Sequence, residues 1–146
     1  MPSLGLVSDK TQTAYIQADR AEYNQKIGIS TYYGNVKIDQ GSTHLRGDKM
    51  IVYNSSDHKT VSKIIAFGNL ARYSTLPENQ TVPMDAQAKT IEYYPTEDRI
   101  VLIGAAVATQ GKNTVTGETI EYQMTKQMLI SSPAKASRTV IVFQPE

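Results

Sequence analysis

The sequence predicts an all-β protein of many short antiparallel strands, arranged as a sandwich or a barrel. Apolar residues recur with a period of two, as in segment 35–40, where Val36 and Ile38 share one face. Ile, Val, Thr, Tyr and Phe make up about a third of the chain, and these residues suit a pleated, half-buried surface. No segment of about ten residues has the spacing of an amphipathic helix. The pattern therefore favours strands throughout.

About sixteen short runs, separated by Gly, Asn, Pro or Ser, are predicted to be strands. In chain order they are 13–18, 20–24, 28–33, 35–40, 43–46, 48–54, 60–65, 67–74, 82–87, 88–94, 99–103, 105–110, 113–116, 118–123, 127–132 and 138–144. Segments 75–83 and 131–136 contain proline and are predicted to be loops. The first and last runs are candidate exposed edges, which recruit partner strands. We expect one domain over 1–146, with flexible ends at about 1–12 and 144–146.

Part of the chain repeats with an offset of 70 residues. Gly47-Asp-Lys-Met-Ile-Val52 resembles Gly117-Glu-Thr-Ile-Glu-Tyr122, and at the same offset Gly34 matches Gly104. Segments 18–52 and 88–122 are therefore predicted to be two copies of one unit of strand, turn, strand, turn, strand. A partial third copy lies between them.

Glycines are predicted to mark the turns of this unit. Gly34 and Gly68 each precede Asn and are predicted to lie in tight reversals that need a positive φ. Gly41 and Gly111 are expected to end strands, and the glycines six residues after them to begin strands.

The repeat also predicts which side chains face the interior. Segment 50–53 is apolar throughout, so alternation alone does not orient it, but its matching segments carry Glu where Ile51 lies. Met50 and Val52 are therefore predicted to point inward, and Ile51 outward or to an interface. The same reasoning, together with the alternation in other runs, predicts that further side chains point inward. They are Ala21, Tyr23, Val36, Ile38, Leu45, Ile91, Tyr93, Ile120 and Tyr122.

Groups that would indicate catalysis or metal binding are missing or badly spaced. The absence of cysteine removes thiolate sites, and neither His44 nor His58 has a second ligand at metal spacing. The sequence has no nucleophile elbow and no phosphate-binding glycine loop. A glycosidase would need two facing carboxylates, whereas outward strand positions or turns are predicted for Asp39, Asp48, Glu92, Glu118 and Glu121. We predict no enzyme and no cofactor, and the net charge of +1 does not indicate binding of nucleic acid.

The longest apolar run, 100–108, is far shorter than the roughly 20 residues of a membrane helix. The first residues show no charged-then-apolar signal pattern. Two interpretations stay open: a protein that is not exported, or a mature form with an added Met1.

Three motifs together resemble the OstA-like domain family of Gram-negative lipopolysaccharide-transport proteins, most narrowly the LptA type. They are YGNVKIDQG at 33–41, LRGDKMIV at 45–52 and GETIEY at 117–122, and the resemblance spans about 14–132. It implies an antiparallel β-jellyroll of about sixteen strands, open at both ends. It further implies an apolar interior groove that shields the acyl chains of lipid A, and a periplasmic location after removal of a signal peptide.

The resemblance also implies partners and contact residues. Copies stack head to tail into a bridge between an LptC-like inner-membrane partner and an LptD-like outer-membrane partner. The implied interface comprises Tyr15, Ile16, Gln17, Val140, Ile141, Val142 and Phe143. Where the motifs match, the resemblance implies that Ala14, Ile16, Tyr73 and Tyr93 contact lipid. With the inward residues, the predicted groove lining is Ala14, Ile16, Ala21, Tyr23, Val36, Ile38, Leu45, Met50, Val52, Tyr73, Ile91, Tyr93, Leu102, Ile120 and Tyr122.

Two alternatives remain open at this point. One is a β-solenoid-like module that assembles without lipid cargo. The other is one of the related domains, LptC or the N-terminal domain of LptD.

Overall fold

The computed structural model describes residues 13–57, 60–77, 80–133 and 138–145 and contains one antiparallel sheet of ten strands. The strands are β1 (Ala14–Gln17), β2 (Arg20–Asn24), β3 (Ile29–Gln40), β4 (Thr43–Asn54), β5 (Val61–Thr75), β6 (Met84–Tyr94), β7 (Arg99–Gln110), β8 (Asn113–Gln123), β9 (Met128–Ser132) and β10 (Val140–Val142). One turn of 3-10 helix joins β6 to β7. No helix in the described ranges is long and apolar enough to cross a membrane. The predicted flexible end 1–12 lies outside the described residues.

Strands that follow one another in the chain are neighbours in the sheet from β3 to β8. β1 and β2 both pair with β3 at one edge, and β9 and β10 both pair with β8 at the other. Gln40 pairs with Thr43 across a two-residue turn in which Gly41 has a φ of +56°. The predicted end of a strand at Gly41 is confirmed, and so is the matching one at Gly111, where φ is +60°.

A line of bulges crosses all six long strands, β3 to β8. The pairing register shifts between Tyr33 and Val36, between Phe67 and Ala71, and at the corresponding place in each neighbouring ladder. We call this line the crease. It divides each long strand in two, and these halves together with the four short strands correspond to the sixteen predicted runs. The number of hydrogen-bonded strands is smaller because a bulge bends a strand without ending it.

The glycines at the crease do not reverse the chain, so that prediction is wrong. Gly34 has the expected positive φ of +84°, but β3 continues through it, and Asp19 packs where a Cβ would lie. Gly68 lies within β5 and is not among the described glycines with positive φ. Gly47 and Gly117, predicted to begin strands, lie inside β4 and β8.

The backbone confirms the repeat. β3 and β7 begin and end at positions 70 apart, and Gly34 and Gly104 have φ values of +84° and +87°. β4 and β8 begin at the same offset. β6, at 84–94, corresponds to β1 and β2 taken together, at 14–24. The first repeat is therefore β1 to β5, and the second is β6 to β10.

The sheet folds over at the crease so that its two parts face each other. Tyr93 lies opposite Ile64 on β5. Ile64 precedes Tyr73 by nine residues, which separates the two by roughly 30 Å along an extended strand. The rings of Tyr73 and Tyr93 are nevertheless 5.9 Å apart, in an edge-to-face arrangement. We call the two parts the β1–β10 layer and the β2–β9 layer, after their edge strands. Their long axis runs across the strands, from the β1–β2 edge to the β9–β10 edge.

Candidate functional site between the two layers

The space between the layers is filled by inward side chains whose character changes with distance from the crease. Beside the crease lie small and aliphatic residues, which let the layers approach closely: Ala66, Ala71, Ala88, Ile91, Leu102, Ala106 and Ile120. Farther out lie large residues, each at most 2% exposed: Ile38, Leu45, Ile64, Tyr73, Tyr93 and Ile100. The interior is thus an apolar core along its whole length.

The side of the interior opposite the crease is polar at the ends of β3, β4 and β5 in the β1–β10 layer, whereas buried Met84, opposite Thr75, is apolar. Gln40, Thr43 and Thr75 are at most 3% exposed, and the hydroxyls of Thr43 and Thr75 are 2.9 Å apart. All three residues lie at hairpin ends, and we call this side of the molecule the mouth. A molecule lying between the layers would meet apolar groups at the crease and polar groups at the mouth.

The interior is uncovered at the two edges of the sheet. At the β1–β2 edge, Ile16 pairs with buried Ile38 and Tyr23 with buried Ser30, so both lie on the inward face. They are nevertheless 42% and 56% exposed, respectively. At the other edge Ile141 lies on the same face and is 52% exposed. These side chains are uncovered because an edge strand has a neighbour on one side only.

All fifteen residues predicted to line a groove lie on the inward face. Ten are buried: Val36, Ile38, Leu45, Met50, Val52, Tyr73, Ile91, Tyr93, Leu102 and Ile120. Ala14, Ile16, Ala21 and Tyr23 lie at the β1–β2 edge. Tyr122 is half-buried beside β9, where burial raises the pKa of its hydroxyl. Contact of these residues with lipid stays a prediction.

Sequence reasoning missed part of the interior, most clearly in β5. Ile64 and Ala66 are buried, but segment 63–67 (KIIAF) is apolar on both faces and was not matched to an oriented copy. Ala71, Ala86, Ala88, Ala106 and Ala108 are also buried. Small residues give a weak signal, although the alternation with polar residues in β6 could have identified Ala86 and Ala88.

The residues predicted to form an interface between copies are exposed at the two edges. Tyr15 is 62% exposed on β1, and Val140, Ile141 and Val142 are between 43% and 52% exposed on β10. Phe143, just beyond β10, is 73% exposed. Their role in assembly stays a prediction.

The described carboxylates and basic side chains lie outside the interior. None of the buried polar residues in the described ranges is a carboxylate, and no cluster there could hold a metal ion. Asp39 lies on the outward face, 2.8 Å from the Arg46 guanidinium and 2.5 Å from Nδ1 of His44. Burial alone would raise the pKa of Asp39, but hydrogen bonds from His44 and Arg46 lower it below the usual value. His58 lies outside the described residues.

Residues 15–128 match the protein family described as LptA/(LptD N-terminal domain) LPS transport protein. The chain belongs to this family. It is 33% identical to the lipopolysaccharide export system protein LptH of Pseudomonas aeruginosa, over 99% of this chain and 86% of that protein. Identity to the lipopolysaccharide export system protein LptA of Escherichia coli K12 is 24%, over 99% of this chain and 78% of that protein.

A solved structure of an LPS transport protein agrees with the fold. It is the crystal structure of LptH from Pseudomonas aeruginosa, described as the LptA homologous periplasmic component of the lipopolysaccharide transport device. Its TM-score is 0.87 at 32% sequence identity, over 94% of this chain and 99% of that chain. The predicted LptA-type family, the all-β fold class and a role in lipopolysaccharide transport are confirmed.

Proposed function

We propose that this chain is a non-enzymatic periplasmic carrier that holds the acyl chains of lipid A between its two layers. The observation that carries the proposal is an apolar interior that is open at both edges of the sheet and polar at its mouth. Copies join end to end, and the outermost copies meet an LptC-like partner at the inner membrane and an LptD-like partner at the outer membrane.

The polarity of the interior suits an amphipathic glycolipid. Acyl chains that enter between the layers gain roughly 0.8 kcal/mol per buried CH₂ group, while the phosphorylated sugars stay at the mouth. Because Tyr73 and Tyr93 are 1% exposed and in contact, the layers must part at the mouth to admit a chain. The similar apolar side chains along the interior favour sliding over a single fixed position.

Photo-crosslinking will test the interior as the lipid site. Tyr93 points inward and its neighbour Tyr94 outward, so p-benzoylphenylalanine at each position makes a matched pair. We expect lipopolysaccharide to be captured at position 93 at least about tenfold more efficiently than at position 94, because side chains of adjacent strand residues lie on opposite faces. Equal labelling at both positions would contradict the proposal.

The internal junction between the two repeats supports end-to-end assembly. Within the chain, β5 of the first repeat pairs with β6 of the second. β6 corresponds to β1 and β2 of the first repeat. β9 and β10 pair with β8 in the same way as β5 pairs with β4. Joining the β9–β10 edge of one copy to the β1–β2 edge of the next would therefore repeat the internal junction and continue the interior.

The same correspondence gives a register for the junction. In the first repeat, Leu45 lies opposite Tyr73, which lies opposite Ala86. The equivalents of these three residues at the junction are Val115, Ile141 and, in the next copy, Ile16. We therefore expect Ile141 of one copy to lie opposite Ile16 of the next, both facing the interior.

Cysteine cross-linking will test this register in a chain that has no cysteine of its own. Opposed residues of neighbouring strands have Cα atoms about 4.5–5.5 Å apart, within the disulfide range. A chain with Ile141→Cys and Ile16→Cys should form disulfide-linked multimers on mild oxidation. Its control, Ile141→Cys with Gln17→Cys, shifts one side chain to the other face, so the same ladder of multimers from the control would contradict the register.

The packed interior is also compatible with a second function, that of an assembly module without lipid cargo. Its large inward residues already fill the space between the layers, each at most 2% exposed. Native mass spectrometry after incubation with lipopolysaccharide separates the two functions. A carrier will show copies with bound lipid, whereas a purely structural module will show bare oligomers.

A further inference from the structure

The outward face of the β1–β10 layer contains an open pocket beside the mouth. It extends across β4, β5, β6 and β7 and has a volume of about 420 Å³. On each of these strands the lining residue closest to the mouth is next to the terminal residue of the strand: His44, Ser74, Asp85 and Thr109. The pocket therefore lies directly behind the mouth, and we call it the outer pocket.

Three cations lie side by side at the β4–β5 end of the outer pocket. Lys37, Arg46 and Arg72 face outward on neighbouring strands, each directly opposite the next, and the two arginines line the pocket. Like charges in directly opposite positions destabilise a sheet. An anion bound over this row would offset the repulsion.

Asp39 offsets only part of the positive charge. Its carboxylate lies 2.8 Å from Nη2 of Arg46, and Nη1 of Arg46 donates to the carbonyl of Leu45 at 3.0 Å. These contacts fix the Arg46 guanidinium in place. Arg72, in contrast, is exposed, and neither it nor Lys37 has an ion-pair partner within the described part of the chain. Arg72 thus presents a guanidinium that an oxyanion can bind through two parallel hydrogen bonds.

The second repeat shows that the fold does not need this charge. β7 and β8 form the same ladder there as β3 and β4 form in the first repeat, and β10 pairs with β8 as β5 pairs with β4. The residues that take the places of Lys37, Arg46 and Arg72 are neutral: Val107, Thr116 and Val140. Because neutral side chains serve the same strand geometry, the cations of the first repeat call for another explanation.

The opposite side of the outer pocket offers hydrogen-bond acceptors. It is formed by Asp85 and Gln87 on β6 and by Val107 and Thr109 on β7. Asp85 is exposed and, although diagonal to Arg72 in the β5–β6 ladder, forms no ion pair with it. A carboxylate and an amide oxygen accept hydrogen bonds from hydroxyl groups, while Val107 provides an apolar surface for the C–H groups of a sugar ring. The pocket thus combines an anion-binding side with a hydroxyl-binding side.

We propose that the outer pocket binds a phosphorylated sugar. The phosphate lies on Arg72, beside the fixed charge of Arg46, and the sugar hydroxyls donate to Asp85 and Gln87. A bare phosphate forms only the first set of contacts and is repelled by Asp85, so the sugar adds to the affinity. Two sources carry this chemistry: the headgroup of the lipid cargo, which rests on the proposed function, and a free sugar phosphate.

The position of the pocket suits the headgroup of a lipid whose acyl chains lie between the layers. At the two-residue turn between β3 and β4, inward Thr43 is followed directly by outward His44. A headgroup that leaves the mouth over this short turn reaches the outer pocket on its arginine side. The phosphate contact then holds the headgroup outside the interior, where it does not enclose the acyl chains.

Isothermal titration calorimetry with N-acetylglucosamine 1-phosphate will test the pocket. We expect a dissociation constant on the order of 1 mM, because an open pocket covers only part of a small ligand. Arg72→Gln should raise this constant at least about tenfold, since charge-assisted hydrogen bonds are lost. The matched control is Lys63→Gln, which removes the same charge from the outward face of the β2–β9 layer and should leave binding unchanged.

A second probe, inorganic phosphate, separates a sugar-phosphate site from a site for any anion. Gln87→Ala leaves the charge of the pocket unchanged and removes a partner of the sugar hydroxyls. It should raise the dissociation constant of N-acetylglucosamine 1-phosphate about threefold and leave that of inorganic phosphate as it was. If the parent chain binds both probes equally and Gln87→Ala affects neither, the pocket holds an adventitious ion only and the proposal is overturned.

Photo-crosslinking at position 93 distinguishes the two sources of the ligand. If the cargo headgroup occupies the pocket, Arg72→Gln should lower the capture of sub-saturating lipopolysaccharide about threefold or more. Capture of lipopolysaccharide whose phosphates have been removed should not change. Unchanged capture of both forms, with N-acetylglucosamine 1-phosphate still bound in the parent chain, would assign the pocket to a free sugar phosphate.

The failure of this proposal differs from the failure of the proposed function. Capture of lipopolysaccharide at position 93 without any binding of N-acetylglucosamine 1-phosphate would overturn the outer pocket alone, and so would equal losses in Arg72→Gln and Lys63→Gln. Binding of the sugar phosphate without capture at position 93 would contradict the lipid carrier and support the pocket. Circular dichroism of each variant checks that the fold is kept.

Discussion

Replacing Tyr73 by alanine will lower the free energy of unfolding by about 3–5 kcal/mol. The ring is 1% exposed and lies in the β1–β10 layer, yet it contacts Tyr93 in the other layer. Its hydroxyl also lies 3.5 Å from Sδ of Met124. Removing the ring leaves a cavity and breaks a contact that holds the layers together. Urea denaturation followed by circular dichroism measures the loss.

A conservative variant separates the ring from the hydroxyl. Tyr73→Phe keeps the edge-to-face contact and removes the hydroxyl that lies 3.5 Å from the Met124 sulfur, so a loss below about 1 kcal/mol is expected. A double-mutant cycle with Tyr93→Ala should give a coupling energy of roughly 0.5–1.5 kcal/mol. A loss below about 1 kcal/mol for Tyr73→Ala would show that the layers do not depend on this contact.

Ile141→Glu will weaken the end-to-end association of copies at least about thirtyfold, since an unpaired charge enclosed by a junction costs about 2 kcal/mol or more. Ile141 lies on the inward face of edge strand β10 and is 52% exposed in a single copy. The substitution should therefore leave the fold of one copy intact. Light scattering should show single copies where the parent chain forms oligomers.

Two further variants make this test specific. Val82→Glu changes a residue with similar exposure, 43%, that belongs to neither edge of the sheet, and it should assemble like the parent chain. Ile16→Lys combined with Ile141→Glu places opposite charges across the expected junction and should recover part of the association. An unchanged size distribution for Ile141→Glu alone would rule out strand pairing through β10.

The alternation of apolar residues predicted the strand segments and the inward face well, because one-sided burial leaves a period of two in the sequence. The offset of 70 oriented Met50 and Val52 correctly, since the equivalent segments place Glu outward at the Ile51 position. Both residues are buried, and Ile51 lies on the outward face.

Backbone connectivity was harder to predict. Gly34 before Asn35 is typical of a hairpin reversal, but the same pair of positive φ values, +84° and +46°, also forms a bulge within β3. The local signal is the same in both cases, and tertiary packing at the crease decides between them. Ala105 has a φ of +50° at the equivalent place, which residue type alone would not have indicated.

The internal repeat has a consequence for the lengths of any assembled chains. If the junction between copies reproduces the β5–β6 junction, each added copy forms the same nearest-neighbour contacts, whatever the length already reached. Growth is then isodesmic: every addition has the same equilibrium constant, no nucleus is required, and lengths follow an exponential distribution. No contact within such a polymer sets the number of its subunits. The distance between the end partners, and the concentration of free copies, would set how long a bridge becomes.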